Sequence, residues 1–571
     1  MRRLLALREL WLAVGSLGLF CATIVRAAEP SDAVPESASV VLRVKAPQTT
    51  LGNLGDFVDA VQPGFGAVVK GNVAMLGLAI SNPGLAGVDI EKDWWAIVFA
   101  ESRQKPAVVF AVSATDANAI KNALPPGFQF HSVDKLAIYS DDAAALGKVR
   151  DRLSGQGTGL WSKTDASSKK LFESSDLSVL INLRQLTKAF AGELQQAEPH
   201  LDGFLNQISG AVPDAQRLQL IPMLDMYRVL GKSALQGVRD SHSLTLAASF
   251  SKDAIRFEDR LQVAEGSATA KFFAAQPTSE LSLMSRLPAN KLVYFGAKMD
   301  MAGMMDWSMS MTKSLIANSS AEQKSQFDAT AKEMRGLKFN EMAGYFGLDP
   351  AAVGAVRGAA IMEVTPTARM RELGHAMVKF MSEVQTPGFK QTMKLEAAAE
   401  KIAGTEVDRI TIQQEFDPSL DPGGIQKKIR DLLFGEAGMQ QLVMYQPTRT
   451  VQTFGGGKAE LENLLTSLGA SSSNDAARAT ARKRFAEKAN VVVLVDVPQL
   501  IVNGLKLAAR EKVIPVEASV LDSLQLTPSF IGGAIACEPT AAGAQFEIPV
   551  AQAQGIAKIV MLVMQIRQQA Q

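Results

Sequence analysis

The chain has 571 residues, of which 47% are hydrophobic and 20% charged, the balance of a globular protein and not of a disordered one. Its 59 basic and 58 acidic side chains leave a formal net charge of +1. That balance argues against a nucleic-acid partner and gives no electrostatic reason to expect an anionic membrane surface.

The chain opens on a basic stretch (Arg2, Arg3, Arg8) followed by an apolar run from Leu10 to Val25. Val25-Arg26-Ala27 suits cleavage before Ala28, so residues 1–27 read as a secretory signal. The alternative is that the same segment is retained as an anchor. A lipoprotein signal does not fit, because Phe20 precedes Cys21 where a small residue is needed. Without residues 1–27 the only cysteine is Cys537, and no internal disulfide is available. A chain this long has core enough to do without one. The next most apolar stretch, Ile556–Ile566, runs into Arg567 and falls short of the ~18 apolar residues of a membrane span. The expected location is therefore periplasmic or extracellular, with no span in the mature chain.

Val40–Val44 reads as a strand, and Leu51, Leu54, Phe57 and Val58 place a helix after it. Trp94–Ala100 and Ala107–Ser113 read as strands, Asp116–Leu124 as a helix, and Phe128–Ser140 as a strand pair or one bent strand. Ala143–Leu153 closes this unit as a helix. The order β-α-β-β-α-β is that of a ferredoxin-like unit, with helices on one face of an antiparallel sheet. After a polar linker, Leu177–Leu183 predicts a strand, 186–235 helices, Ser243–Ser251 and Ala254–Ala264 a strand pair turning at Lys252-Asp253, and Ser267–Ala275 a helix.

The second half repeats these phrases. Lys291–Met299 opens like Val40–Val44, and Gly347-Leu348-Asp349 is matched to Gly87-Val88-Asp89. Leu461, Leu464 and Leu468 answer Leu146, Val149 and Leu153. Val491–Val497, Leu500–Arg510, Ser529–Glu538, Ala544–Val550 and Gln552–Gln568 then follow as strand, helix, strand pair and helix. Asn318–Phe346 reads as a helical, polar insertion, and 385–440 is also expanded. The predicted fold is α+β, a tandem duplication of a two-part unit. Its parts are unit A (34–155), unit B (172–275), unit A′ with insertions (284–470) and unit B′ (484–571).

Motifs for chemistry are sparse. His131, His200, His242 and His375 share no metal-ligand spacing, and no H-E-x-x-H or C-x-x-C occurs. The mature chain has no G-x-S-x-G elbow. Gly455-Gly456-Gly457-Lys458 is followed by Ala459 where a phosphate loop needs Ser or Thr, so a plain strand-to-helix turn is expected. Glu372-Leu373-Gly374-His375 is a single E-x-x-H, half of what a di-metal bundle uses. Glu91, Asp93, Asp141 and Asp142 are scattered, with no pair spaced for acid–base work.

Met299, Met301, Met304, Met305, Met309 and Met311 crowd thirteen residues, with Met301, Met305 and Met309 on one helical face. They read first as packing, then as an adaptable apolar surface, and least as a Cu(I) site, which no nearby His or Cys supports. Trp94 and Trp95 point to opposite faces of a strand. One enters the core; the other meets a helix, a neighbouring unit or a ligand.

The phrase Val34-Pro35-x-x-Ala38-x-Val40-Val41-x-Arg43-Val44-x-x-Pro47, with the Gly-Leu-Asp element at 347–349, resembles a class of exported bacterial proteins of planctomycete type. That resemblance implies export and repeated α+β units. It carries no activity and no catalytic, cofactor-binding or metal-binding residues. The sequence therefore leads to an exported envelope protein that binds or scaffolds without catalysis, its partner an unknown protein or an apolar ligand. A lipid carrier with its ligand between sheet and helices is the first alternative. A hydrolase with dispersed residues, gathering His131, His242 or His375 with Ser and Asp, is the second.

Overall fold

Short runs of β-branched and aromatic residues become strands, and every pairing among the described strands is antiparallel. The computed structural model describes residues 30–569 except 102–104, 213, 301–302, 304–324, 326–327, 330–331, 387–388, 418–422, 471–473 and 515. Residues 1–27, read from sequence as a signal, and Met301, Met304, Met305, Met309 and Met311 lie outside the described residues.

The strands are β1 (Val40–Val44), β2 (Trp94–Phe99), β3 (Ala107–Ser113), β4 (Gln129–Val133), β5 (Leu136–Ser140), β6 (Leu177–Ile181), β7 (Ser241–Phe250) and β8 (Ala254–Val263) in the first half. The second half has β9 (Val293–Ala297), β10 (Lys338–Leu348), β11 (Val356–Thr365), β12 (Glu383–Thr386), β13 (Phe389–Ile402), β14 (Thr405–Phe416), β15 (Met439–Gln446), β16 (Arg449–Phe454), β17 (Val491–Val495), β18 (Ile531–Glu538) and β19 (Ala541–Pro549). They form one sheet. The first half runs β4-β5-β3-β2-β1-β6-β7-β8. β8 pairs with β19. The sheet continues β19-β18-β17-β9-β10-β11-β16-β15-β14-β13-β12. Counted outward from the β8–β19 pair, the strands on the two sides follow the same order, and β14, β13 and β12 are added beyond β15.

The fold is α+β, as the periodicity predicts. Inside unit A, however, the strands form an antiparallel meander with β5 inserted between β3 and β4. This replaces the ferredoxin-like order, which would place parallel strands side by side. Two further corrections concern A′. The stretch 338–346, read as part of a helical insertion, belongs to β10. Its Ala, Gly and Met content hid the strand, which is held by β9 on one side and β11 on the other. Gly347 and Leu348 end β10, whereas Gly87-Val88-Asp89 precedes β2, so the two Gly-x-Asp elements are not counterparts. The Phe128–Ser140 stretch is a strand pair, β4 and β5.

The sheet's two faces are packed unequally. On one face Val41, Ile97, Leu180 and Ile138 form the core of the first half, and Val492, Tyr294, Tyr345 and Ile361 that of the second. Helix Ala143–Leu153 lies on the first core through Leu146 and Val149. It starts where Asp142 accepts the Ala145 N–H at 2.8 Å, satisfying an otherwise orphaned donor. Leu461, Leu464 and Leu468 do the same in the second core.

Arg43 enters the first core 5% exposed. Its guanidinium donates to Asp93 at 2.8 Å and to the carbonyls of Phe172 and Ser175 at 3.0 Å each, so the charge is fully met.

Trp94 and Trp95 are both buried, on opposite faces of β2. Trp95 packs edge-on to Trp161 at 6.0 Å and against Phe172 at 5.2 Å. Trp94 packs with Val112, Ile120 and Tyr139. The expectation of helices on one face therefore does not hold at β2: the N-terminal end of the sheet is covered on both. The Trp94 indole donates to the Asp89 carbonyl at 3.0 Å, while the buried Trp95 indole N–H has no partner. Trp94→Phe should thus cost about 1 kcal/mol more than Trp95→Phe, as read from urea denaturation of the two variants. Equal losses would contradict the assignment.

Candidate functional site

Strands in the middle of the sheet alternate apolar and polar residues, which should bury the apolar row. β8 is the clearest case: Ile255, Phe257 and Leu261 point one way, and Arg256, Glu258 and Arg260 the other. The structure gives the two rows unexpected surroundings. The polar row lies on the core-bearing face, between the two cores, and is tied into ion pairs. Arg260 meets Asp165 at 3.0 Å and Glu538 at 2.7 Å. Arg484 meets Glu547 at 2.9 Å. Gln545 donates to Glu258 at 2.7 Å.

The apolar row faces outward and is half exposed. Leu246 on β7 is 40% exposed, Phe257 on β8 45%, Phe546 on β19 42% and Ile535 on β18 46%. Leu42 on β1 and Val493 on β17 extend the row to either side, also exposed. The register places these residues on one face: Leu42 opposes Val179, which opposes Leu246, and Phe257 opposes Phe546. The Phe257 and Phe546 rings sit 6.4 Å apart, tilted by 32°. Asp259 is the one carboxylate among them. Burial pushes it above the ordinary carboxylate range, although the Ala544 N–H donates to it at 3.0 Å. An apolar strip crossing seven strands is more than scattered surface hydrophobes, which makes it the candidate interaction surface.

Helices near this strip also expose apolar side chains. Met223, Tyr227 and Leu230 do so on helix Asp214–Asp240, Phe272 on Ala268–Ala275, and Val560 and Met564 on Val550–Gln569. Sequence reasoning missed the strip because alternation defines two faces without saying which one is covered. The available signal was that β6, β17 and β18 carry apolar residues on both faces.

A second feature is a cleft of about 800 Å³ at the ends of β9, β10, β11 and β17. Its polar groups are joined to one another. Lys291 pairs with Glu460 at 2.6 Å, and the Tyr345 hydroxyl donates to Glu460 at 2.6 Å. The Tyr294 hydroxyl donates to Asp475 at 2.7 Å. Burial raises both phenols far above their ordinary range and pushes the Asp496 carboxyl up despite donation from Gln499 and Gln552. These links brace strand ends and leave no obvious acid–base pair.

The residues singled out by sequence do not converge. His131 is on β4, His242 on β7, and His200 is exposed on helix Ala191–Ala211. His242 is pushed down by burial and by Arg184. His375, on helix Thr367–Phe380, meets Asp408 at 2.6 Å. Arg371 donates twice to the same carboxylate, and the Ala398 N–H reaches it at 2.8 Å. Asp408 is 1% exposed. Burial alone would raise it, but Arg371, Ala398 and His375 together hold it below the usual range. Among the described residues no serine hydroxyl is hydrogen-bonded to a histidine, and no group of three or more His, Cys, Asp or Glu is placed to hold a metal. Glu372 is exposed on the same helix as His375.

Gly455, Gly456 and Gly457 all adopt positive φ (77°, 71° and 57°), a tight turn into helix Gly457–Gly469 whose first turn already holds Glu460. Lys458 pairs with Glu462 at the surface. Asp93 serves Arg43, Asp141 meets Lys105 at 3.4 Å, Asp142 caps a helix and Glu91 is exposed. Met299, the described member of its cluster, lines a small gap with Phe339, Met342 and Met362.

No protein-family profile matches the sequence, and no curated protein matches it. Among solved structures, crystal forms of TP0453 are similar over part of the chain. Form IV gives a TM-score of 0.21 at 11% identity, covering 41% of this chain and 81% of that one. Form III gives 0.21 at 9%, covering 44% and 89%. No described helix is long and apolar enough to cross a membrane.

Two substitutions test the electrostatics. The folded state binds the Asp259 proton more tightly than the unfolded chain does at about 3.9. Stability therefore rises as pH falls through the window between the two values. Asp259→Asn should be more stable than the parent at pH 7, with the difference vanishing by about pH 3. Asp408→Asn should lose about 2–3 kcal/mol at pH 7, because Arg371 and His375 keep their positions without a carboxylate. Denaturant titrations at both pH values measure both.

Proposed function

We propose that the protein is an exported, non-enzymatic binding protein, and that its ligand is an apolar chain of the lipid acyl class laid across the open face of the sheet. The observation that supports this is the half-exposed row through Leu246, Phe257, Phe546 and Ile535, which nothing polar but Asp259 interrupts. Export rests on the basic and apolar pattern of residues 1–27. A tandem duplication of a two-part unit belongs to the same proposal, supported by the equal strand order on the two sides of β8–β19.

The magnitudes are compatible. Each methylene removed from water contributes about 0.8 kcal/mol. A chain of about sixteen would gain ~13 kcal/mol gross, enough to offset an association cost of ~4–15 kcal/mol only when most of its length is covered. Long chains should therefore bind and short ones should not.

The neutral probe N-phenyl-1-naphthylamine tests this reading by its fluorescence gain on entering an apolar site. Palmitate should compete and octanoate should not. Phe257→Asp with Phe546→Asp, both at exposed positions, should weaken the probe at least tenfold while circular dichroism is unchanged. Unaltered probe binding in that variant would remove the sheet face as the site. Lipids extracted from natively purified protein and identified by mass spectrometry give the independent check.

A further inference from the structure

The β8–β19 pair that joins the two halves has an approximate twofold symmetry written into its register. β6 pairs with β7 as β17 pairs with β18, which makes Ala248 and Ile535 equivalent. One strand further, Phe257 and Ala544 are equivalent. Glu258 and Gln545 stand in the same relation, 287 residues apart, and they face each other across the seam. On either side of them, Phe257 opposes Phe546 and Asp259 opposes Ala544, each pair the image of the other. The axis therefore passes between Glu258 and Gln545.

A strand that pairs symmetrically with its equivalent can in principle pair with itself on a second copy. β8 is made long before β19 and stays an open edge while the intervening chain is synthesised, about 15–60 s at ~5–20 residues per second. Open edges recruit other edges. The register shows what a β8–β8 pairing would bring together: Glu258 against Glu258, and Arg256 against Arg260 on both sides of it. Like charges directly opposed across strands are destabilising. Against β19 these conflicts vanish. Arg256 opposes Glu547, Arg260 opposes Gly543, and Glu258 opposes Gln545. The Gln545 amide donates to Glu258 at 2.7 Å and accepts the Ala486 N–H at 3.0 Å. A β19–β19 pairing would raise no such conflict, so the discrimination lies on β8.

We propose that Arg256, Glu258 and Arg260 reserve the β8 edge for β19 of the same chain by rejecting β8 of a second copy. The assignment stands on the seam alone and is independent of what binds the opposite face.

The test refolds the full chain from urea at 1–20 µM and measures the oligomer fraction by size-exclusion chromatography. Glu258→Gln, which removes the central conflict and keeps a hydrogen-bonding group, should raise that fraction at least threefold at the highest concentration. The exchanged pair Glu258→Gln with Gln545→Glu restores an amide–carboxylate contact at the axis but leaves β8 neutral there, so its oligomer fraction should stay raised. Hydrogen exchange in β10 and β11 confirms that each variant's monomer is folded. If the exchanged pair returns to the parental level, the contact strength and not the β8 edge controls assembly, and the proposal fails. It also fails if Glu258→Gln refolds with no more oligomer than the parent.

Discussion

The constraint on which the molecule depends is the pairing of β8 with β19. Every other strand is paired within its own half, so this one ladder makes two sheets into one. Its hydrogen bonds satisfy two edges that would otherwise be open. The side chains on it divide by face. Charged residues are held on the side that carries both cores, in ion pairs that draw on Asp165, Arg484 and Glu547 from each half. Apart from Asp259, the residues on the outer side are apolar. The polar row keeps the two cores separate, and the apolar row makes the outer face continuous from one half to the other.

This arrangement also explains why the large cleft and the open face differ in character. The cleft lies within the second half, where Lys291 and Tyr345 are bonded to Glu460, Tyr294 to Asp475, and Asp496 to Gln499 and Gln552. The open face lies across the join of the two halves. The groups with catalytic potential are either bonded structurally, as His375 is with Asp408 and Arg371, or far apart. The binding reading therefore rests on shape and polarity, and not on a reactive group.

Much of the local structure was legible. Helix Ala143–Leu153 could be placed from Leu146, Val149 and Leu153, and the hairpin at Lys252-Asp253 from its turn residues, because period and turn chemistry are local. β10 was not, since Glu-Met-Ala-Gly-Tyr-Phe-Gly is helix-compatible until β9 and β11 claim it. Strand order was not legible either, because antiparallel partners are chosen over hundreds of residues. The absence of familiar catalytic motifs could be read directly. The open face could not: the pattern Ile255, Phe257, Leu261 specifies an apolar side and is silent on what lies above it.

One smaller contact has a wider consequence. Helix Pro47–Val61, near the start of the fold, touches helix Val550–Gln569, where Gln554 donates to the Ala60 carbonyl at 2.7 Å across 494 residues of chain. Closing a loop over such a distance costs only slightly more entropy than closing a shorter one, but contacts this non-local form slowly. The two halves are thus fastened at two separate places, the β8–β19 ladder and this helix contact, so pulling them apart means breaking both.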